Sequence, residues 1–303
     1  MKRIICFSFL ILVVGIASAQ QQTVAADSTN TALDSKMEVY VRENIPFKVP
    51  IPRTFVREAD VLWETTVWRL IDLGQRQNHP LFFPVGENRK IGSRVNFFTL
   101  LLEAVERGEI TAYDPFPVGE EFATANIWTH EQVVTNPGLI TEGRESHQQS
   151  LATGRDTIIM IPGFNALEER DCMRLMIKEK IYFDSRHSVL RTEVIGIQPW
   201  FVFEQAIDGT DEVRLARVPI VWVYYPEIRP LLARHPVYND FNEAQNISYD
   251  DFFIQHRYDG LIIKRGNIYN RRIDQYMMGV NALLEAQRLE DAIFNWEQDL
   301  WEY

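Results

Sequence analysis

Residues able to do acid–base, nucleophilic or metal chemistry are numerous here, but their spacing does not suit it. Six histidines stand at 79, 130, 147, 187, 235 and 256, with no i, i+4 pair among them. A protein zinc site needs three or four convergent ligands, and no cysteine pattern supports these histidines. His147 lies beside Ser146 and near Ser150, the makings of a nucleophilic pair, but EGRESHQQSLATG reads as a loop. A triad is defined by geometry, not by neighbours in sequence. Carboxylates occur as the doublets Glu120-Glu121, Glu168-Glu169 and Asp250-Asp251. Adjacent side chains diverge on helices and strands, so the doublets read as solvated faces and helix starts, not as acid/base pairs. The sequence contains no GxGxxG, no P-loop, no GxSxG, no HExxH and no EF-hand loop. No catalytic, cofactor-binding or metal-ligating residue is assigned. Carboxylates brought together from distant positions would leave no such trace.

The composition is globular: 303 residues, 46% hydrophobic and 24% charged, enough for one large domain. A net charge of −11 argues against nucleic acid as a partner, since that needs a cationic excess. Lys2 and Arg3, the apolar run Ile4 to Ile16 and the small residues Ala17-Ser18-Ala19 read as a cleaved signal peptide, residues 1–19. Without Lys2 and Arg3 the 31 basic residues become 29 against 42 acidic ones, a net charge of about −13. Cys172 is then the sole cysteine, which leaves no intrachain disulfide. Its neighbours Met173, Leu175 and Met176 predict burial.

These residues must be positioned by the rest of the chain. Residues 20–37, polar and aperiodic, read as a flexible leader. Residues 38–56 read as an extended arm, because Pro46, Pro50 and Pro52 exclude a central strand. Such an arm lies either on its own domain or on a neighbour. In the second case Val41, Phe47, Val49 and Ile51, with Trp301 and Tyr303 of the aromatic tail, are the interface residues.

Residues 57–303 predict one α+β body: mixed short strands packed with several helices and closed by a long C-terminal helix. Trp63, Val67, Leu70 and Ile71 recur at the spacing of a helix face, predicting a helix from Asp60 to Leu73-Gly74. Phe97, Leu101, Ala104 and Val105 predict a second, capped by Ser93 and stopped by Gly108, with Phe98 and Leu102 burying more than one side. Residues 142–154 read as a mobile loop, or as the boundary if the body has two lobes. TIIMIPGF predicts a buried strand, and Glu168–Glu179 a helix with Met173, Met176 and Ile177 inward. Strands are expected at Lys180–Asp184, Val189–Gln198, Val213–Tyr225 and Leu261–Ile263. Ser248 caps a helix with Asp250 and Asp251 in its first turn. A last helix from about Asn270 sets Ile273, Met277, Val280 and Leu284 on one side, continued by Leu289, Ala292, Ile293 and Trp296.

Two blocks of this body resemble the GldN/PorN family. The first is ADVLWETTVWRLIDL, followed by Asn78-His79-Pro80-Leu81-Phe82-Phe83-Pro84 and FFTLLLEAVERGEITAYD. The second comprises VWVYYPEIRPLL, SYDDFF, IIKRGNIYNRRIDQYMMG and IFNWEQDLWEY. Asn270-Arg271-Arg272-Ile273 and Asp299-Leu300-Trp301 match the family pattern, while Asp72-Leu73-Gly74-Gln75-Arg76 is less charged than it. The resemblance implies a non-enzymatic structural subunit of the type IX protein secretion and gliding machinery. It implies a periplasmic protein, without cofactor, held at the outer membrane by a GldK/PorK-like lipoprotein. With that lipoprotein it would self-associate into large rings, linked to the periplasmic domain of a GldM/PorM-like inner-membrane motor component. A closed ring needs head-to-tail interfaces, for which the arm is a natural device. Two rivals stand beside this reading. One is a periplasmic hydrolase with two convergent carboxylates. The other is a binding module for exported substrates using Trp128, Trp200 or Trp222, residues otherwise read as core.

Overall fold

The computed structural model describes residues 48–85, 90–91, 94–117, 121–135, 140–149, 156–164, 171–206, 213–239 and 247–300. In chain order come β1 (Val61–Asp72), α1 (His79–Phe82), β2 (Lys90–Ile91), β3 (Arg94–Val95), α2 (Phe97–Glu106), β4 (Ala112–Tyr113), β5 (Ile127–Trp128) and α3 (His130–Val134). There follow β6 (Ile140–Gln149), β7 (Asp156–Phe164), β8 (Cys172–Asp184), β9 (Val189–Ala206), β10 (Val213–Pro219) and β11 (Trp222–Tyr224). Last are α4 (Tyr225–Arg234), α5 (Tyr249–Ile254), β12 (Leu261–Arg265) and α6 (Val280–Asp299). The fold is α+β. Its main sheet runs β12-β1-β8-β9-β11-β4-β5, with β10 also on β9 and every pairing antiparallel.

The centre of that sheet corrects two expectations. The predicted helix at Asp60–Gly74 is strand β1, between β8 and β12, and the predicted helix at Glu168–Glu179 is the first half of β8. The reason is arithmetic. Trp63, Val67 and Ile71 are four apart, and a spacing of four satisfies both a helix face and a strand face. Composition then decides: Val61, Thr65, Thr66, Val67 and Ile71 are β-branched and Trp63 and Trp68 aromatic, types that fit a pleated surface. Lys180–Asp184 is the far end of β8, and β9 outruns its predicted end at Gln198 to reach Ala206.

Pairing register shows which face the helices cover. Thr65, Val67, Arg69 and Ile71 oppose Ile181, Glu179, Ile177 and Leu175, so these side chains share one face. On it Ile71, Leu175 and Ile177 pack with α2, α4 and α5 residues including Phe97, Leu101, Leu232 and Phe253. Further along the same face Val67, Ile181 and Ile262 pack with Ile273, Ala286 and Leu289. Arg69 and Glu179 separate these two apolar clusters. On the opposite face Trp68 carries the Lys264 and Lys178 ammonium groups at 4.0 and 5.2 Å from its ring, and Phe122 covers Gly196.

Helix α2 keeps its predicted apolar face and is buried on more than one side, with Phe97, Phe98, Leu100, Leu101, Ala104 and Val105 enclosed. Its cap is Asn96, not Ser93, which lies outside the described residues: the Asn96 side chain accepts from the Phe98 amide at 2.8 Å. It ends as predicted at Gly108, φ +69°, with Glu109 N–H bonded to Ala104 O and Gly108 N–H to Val105 O. Of the expected loop at 142–154, residues 142–149 are strand, where β6 pairs with β7, the TIIMIPGF segment, and residues 150–154 lie outside the described residues. The predicted strand at Val213–Tyr225 divides into β10 and β11, and Pro226 opens α4 where it would have continued. The last helix starts ten residues later than predicted. Asn267 bonds the Arg265 and Arg271 carbonyls and the Arg271 amide, closing a loop, and Gly279 at φ +59° precedes α6.

Candidate functional site

The arm is joined to its seat by long-range polar contacts between Lys48–Thr54 and the β9, α4 and α5 elements. Helix α5 begins as predicted: Ser248 Oγ accepts from the Asp251 amide at 3.1 Å and Asp251 answers the Ser248 amide, a reciprocal capping box. That geometry sends the Asp250-Asp251 doublet in opposite directions. Asp251 turns to Lys48 of the arm. Asp250 turns inward, 1% exposed, to accept from Tyr225 Oη at 2.8 Å and from Arg229 Nε and Nη2 at 2.9 and 3.1 Å. The two carboxylates of the doublet thus have different partners, and only Asp251 fits the reading of a helix start. Asp250 is a buried anion in a bidentate pair.

Arg229 joins this pair to the arm, donating a further hydrogen bond to Ile51 O. Arg53 binds Glu193 at 2.8 Å, donates to Val194 O at 2.9 Å and lies 5.7 Å over the Tyr225 ring. Beneath the arm is a groove of about 480 Å³ walled by Arg53, Thr192, Tyr225, Phe253 and His256. Every hold on the arm is a charge or a backbone carbonyl. Val49 at 78% and Phe55 at 82% are exposed, Val56 is half-buried, and Ile51, 60% exposed, also borders the groove. The described part of the arm therefore lies on its own body. Val41, Phe47, Trp301 and Tyr303, along with residues 1–47 generally, lie outside the described residues.

Charge states follow the packing. Burial pushes the Tyr225 hydroxyl up, and the Asp250 charge adds to it. Burial also opposes the Arg229 charge, but Asp250 outweighs it and holds the guanidinium above its ordinary value. For Asp251 burial raises the carboxyl, yet Lys48 and Ser248 bring it below the usual carboxylate range. A second buried network lies between the two apolar clusters. Glu179, 2% exposed, accepts from Tyr258 Oη at 2.8 Å and pairs with Arg69 at 3.4 Å. Arg69 also binds Glu290 of α6 at 2.8 Å and Gly260 O at 2.7 Å. Two carboxylates distant in sequence do converge here, with an arginine between them that ties α6 to the sheet.

The remaining candidates are accounted for by local structure. Cys172 is 1% exposed and burial pushes its thiol up, away from a reactive thiolate. His79, His235 and His256 bond backbone carbonyls, and His187 bonds Asp184 at 2.5 Å. Among the described residues no group of three His, Cys, Asp or Glu is placed to hold a metal. The side chains of Ser146, His147 and Ser150, and those of Glu120, Glu168 and Glu169, lie outside the described residues. Trp222 is buried, and Trp128 packs against the larger core. Asn78 of the NHPLFFP stretch is fully buried, bonding Asp72 O, Asp259 O and the Asp259 amide, so this motif clamps β1 to the loop before β12. Sequence reasoning missed Arg229 and Glu179: each finds its partner across the fold, at no recurrent spacing.

No curated protein matches the sequence. A family model, described as gliding motility associated protein GldN, matches residues 56–302, the whole body from the end of the arm through α6. On that match, and on the β1–α1 and α5–α6 blocks it includes, the chain belongs to the GldN family of gliding-motility proteins.

Proposed function

We propose that this protein is a non-enzymatic structural subunit of the type IX secretion and gliding machinery. In this reading it is exported to the periplasm, associates with the outer membrane through a GldK/PorK-like lipoprotein and assembles with it into a ring. It also contacts the periplasmic domain of a GldM/PorM-like motor component. The carrying observation is family membership over residues 56–302. The site geometry supports it: the ionic groups of the arm seat pair with one another, and apolar side chains are exposed at Val49, Ile51, Phe55, Val280 and Leu284. Exposed apolar side chains of this kind suit protein–protein contact better than catalysis. The test is affinity purification of the tagged full chain from solubilised envelopes, with the eluate imaged by negative-stain microscopy. Rings containing a lipoprotein partner are expected. A clean monomer without an envelope partner refutes the reading and returns attention to hydrolase substrates.

A further inference from the structure

The groove beneath the arm keeps hydrogen-bonding capacity that the chain does not use. Its volume of about 480 Å³ is that of a small-ligand site. Some of its polar groups are spent: Glu193 takes Arg53 and the Tyr182 hydroxyl, and Tyr225 Oη is held by Asp250. Two guanidiniums are not. Arg229, 7% exposed, commits Nε and Nη2 to Asp250 and Ile51 O, while its Nη1 has no acceptor among the described residues. Arg191 makes no hydrogen bond from Nε or Nη2 among them, and its Nη1 reaches Thr54 Oγ1 only at 3.5 Å, the limit of such a bond. Asp184 stands 3.7 Å from Arg191 Nε, but its carboxylate already accepts from His187 Nδ1 at 2.5 Å and from the Arg186 amide at 3.1 Å.

One acceptor is unused as well. His256 Nδ1 donates to Phe253 O at 2.9 Å, which places the proton on that nitrogen and leaves Nε2 with a free lone pair. Burial favours the neutral ring. Leu190 and Ile254 give the same groove an apolar wall. Guanidinium donors, one acceptor and an apolar wall match a single residue that carries a carboxylate, an N–H and an apolar side chain. A cationic group would meet two arginines, and a neutral one would leave their charge unanswered. We propose that this groove binds the carboxyl end of a peptide whose last side chain is apolar. The carboxylate accepts from Arg191 and from Arg229 Nη1, whose planar forks suit it. The last peptide N–H donates to His256 Nε2, and the side chain lies against Leu190 and Ile254.

The test is calorimetric titration of the purified full chain with N-acetyl-leucine, the smallest probe carrying all three features. N-acetyl-leucinamide is the same body without the charge, and 4-methylpentanoate keeps the carboxylate but lacks the N–H. N-acetyl-leucine is expected to bind with a Kd of about 1 mM or tighter, and each of the other two about tenfold more weakly. Arg191→Met is expected to abolish the preference for acid over amide. Arg191→Lys, which keeps the charge without the fork, is expected to retain part of it. The absence of N-acetyl-leucine binding, equal affinity for acid and amide, or an unchanged preference in a folded Arg191→Met variant overturns the proposal. So does 4-methylpentanoate binding as tightly as N-acetyl-leucine, which would make the ligand a free carboxylic acid and not a peptide end.

Discussion

Asp250→Ala is the sharpest perturbation of the arm seat. The change removes a carboxylate that is 1% exposed, takes the bidentate anion from Arg229, 7% exposed, and leaves Tyr225 Oη only the long bond to the Asp250 backbone carbonyl at 3.4 Å. Breaking a buried ion pair from one side costs about 3–5 kcal/mol, because the surviving charge stays desolvated. In a domain of this size each kcal/mol moves the melting temperature by roughly 2–4 °C, so a fall of about 6–20 °C is expected. Arg229→Met combined with Asp250→Ala removes both charges and is expected to recover about half of that loss, since an apolar replacement of a whole pair is often neutral. The assay is thermal unfolding followed by circular dichroism for wild type, both singles and the double. Tryptic cleavage after Arg53 is a second readout, since Arg229 also holds the arm. A single variant melting within about 2 °C of wild type refutes the assignment. So does a double variant no more stable than Asp250→Ala.

Three further outcomes are expected. Burial depresses the His256 imidazole below its ordinary value, with Glu179 opposing and Arg69 reinforcing, so the fold favours the neutral ring. Its contribution to stability is present above the unfolded value of about 6.5 and is lost as pH falls through the folded one. His256→Asn, suited to the φ of +48° at this position, should lose less melting temperature than wild type between about pH 7.5 and 5.5, and an unchanged difference would count against it. A Cβ on Gly260 would sit 2.6 Å from Leu70 O, a backbone atom of β1 with no room to yield, so Gly260→Ala should cost about 1–3 kcal/mol in denaturant unfolding. The arm is held by ion pairs with partly exposed members, so raising salt to about 1 M should speed tryptic cleavage at Arg53 and Arg57. A rate independent of salt would mean that the apolar side chains hold it instead.

Helix α2 was legible because its stripe, its stop at Gly108 and its length agree on one structure, and α5 because Ser248 and Asp251 form their box within four residues. Strand β1 was misread because Trp63, Val67 and Ile71 fit both periods, and only β8 and β12 on either side decide between them. Helix α6 was legible as a helix but not in which residues it buries: of the side predicted from Ile273 to Trp296, Val280 and Leu284 are exposed while Leu289 is buried and Ile293 packs beside it, with Ala286. The arm was legible as extended from its prolines, but not which way it faces.

By itself the sequence determined the family, through two ordered blocks of aromatic and apolar residues, and the α+β class, through its local periodicities. Both are properties of neighbouring residues, and a linear chain displays those directly. Tertiary structure alone decided that Asp250 meets Arg229 and Tyr225, that Glu179 meets Arg69 and Tyr258, and that Val49, Ile51 and Phe55 are exposed. A buried charge finds its partner by the packing of whole helices and strands. Residues 21 to 110 positions apart therefore become one ion pair with no mark of it in the chain.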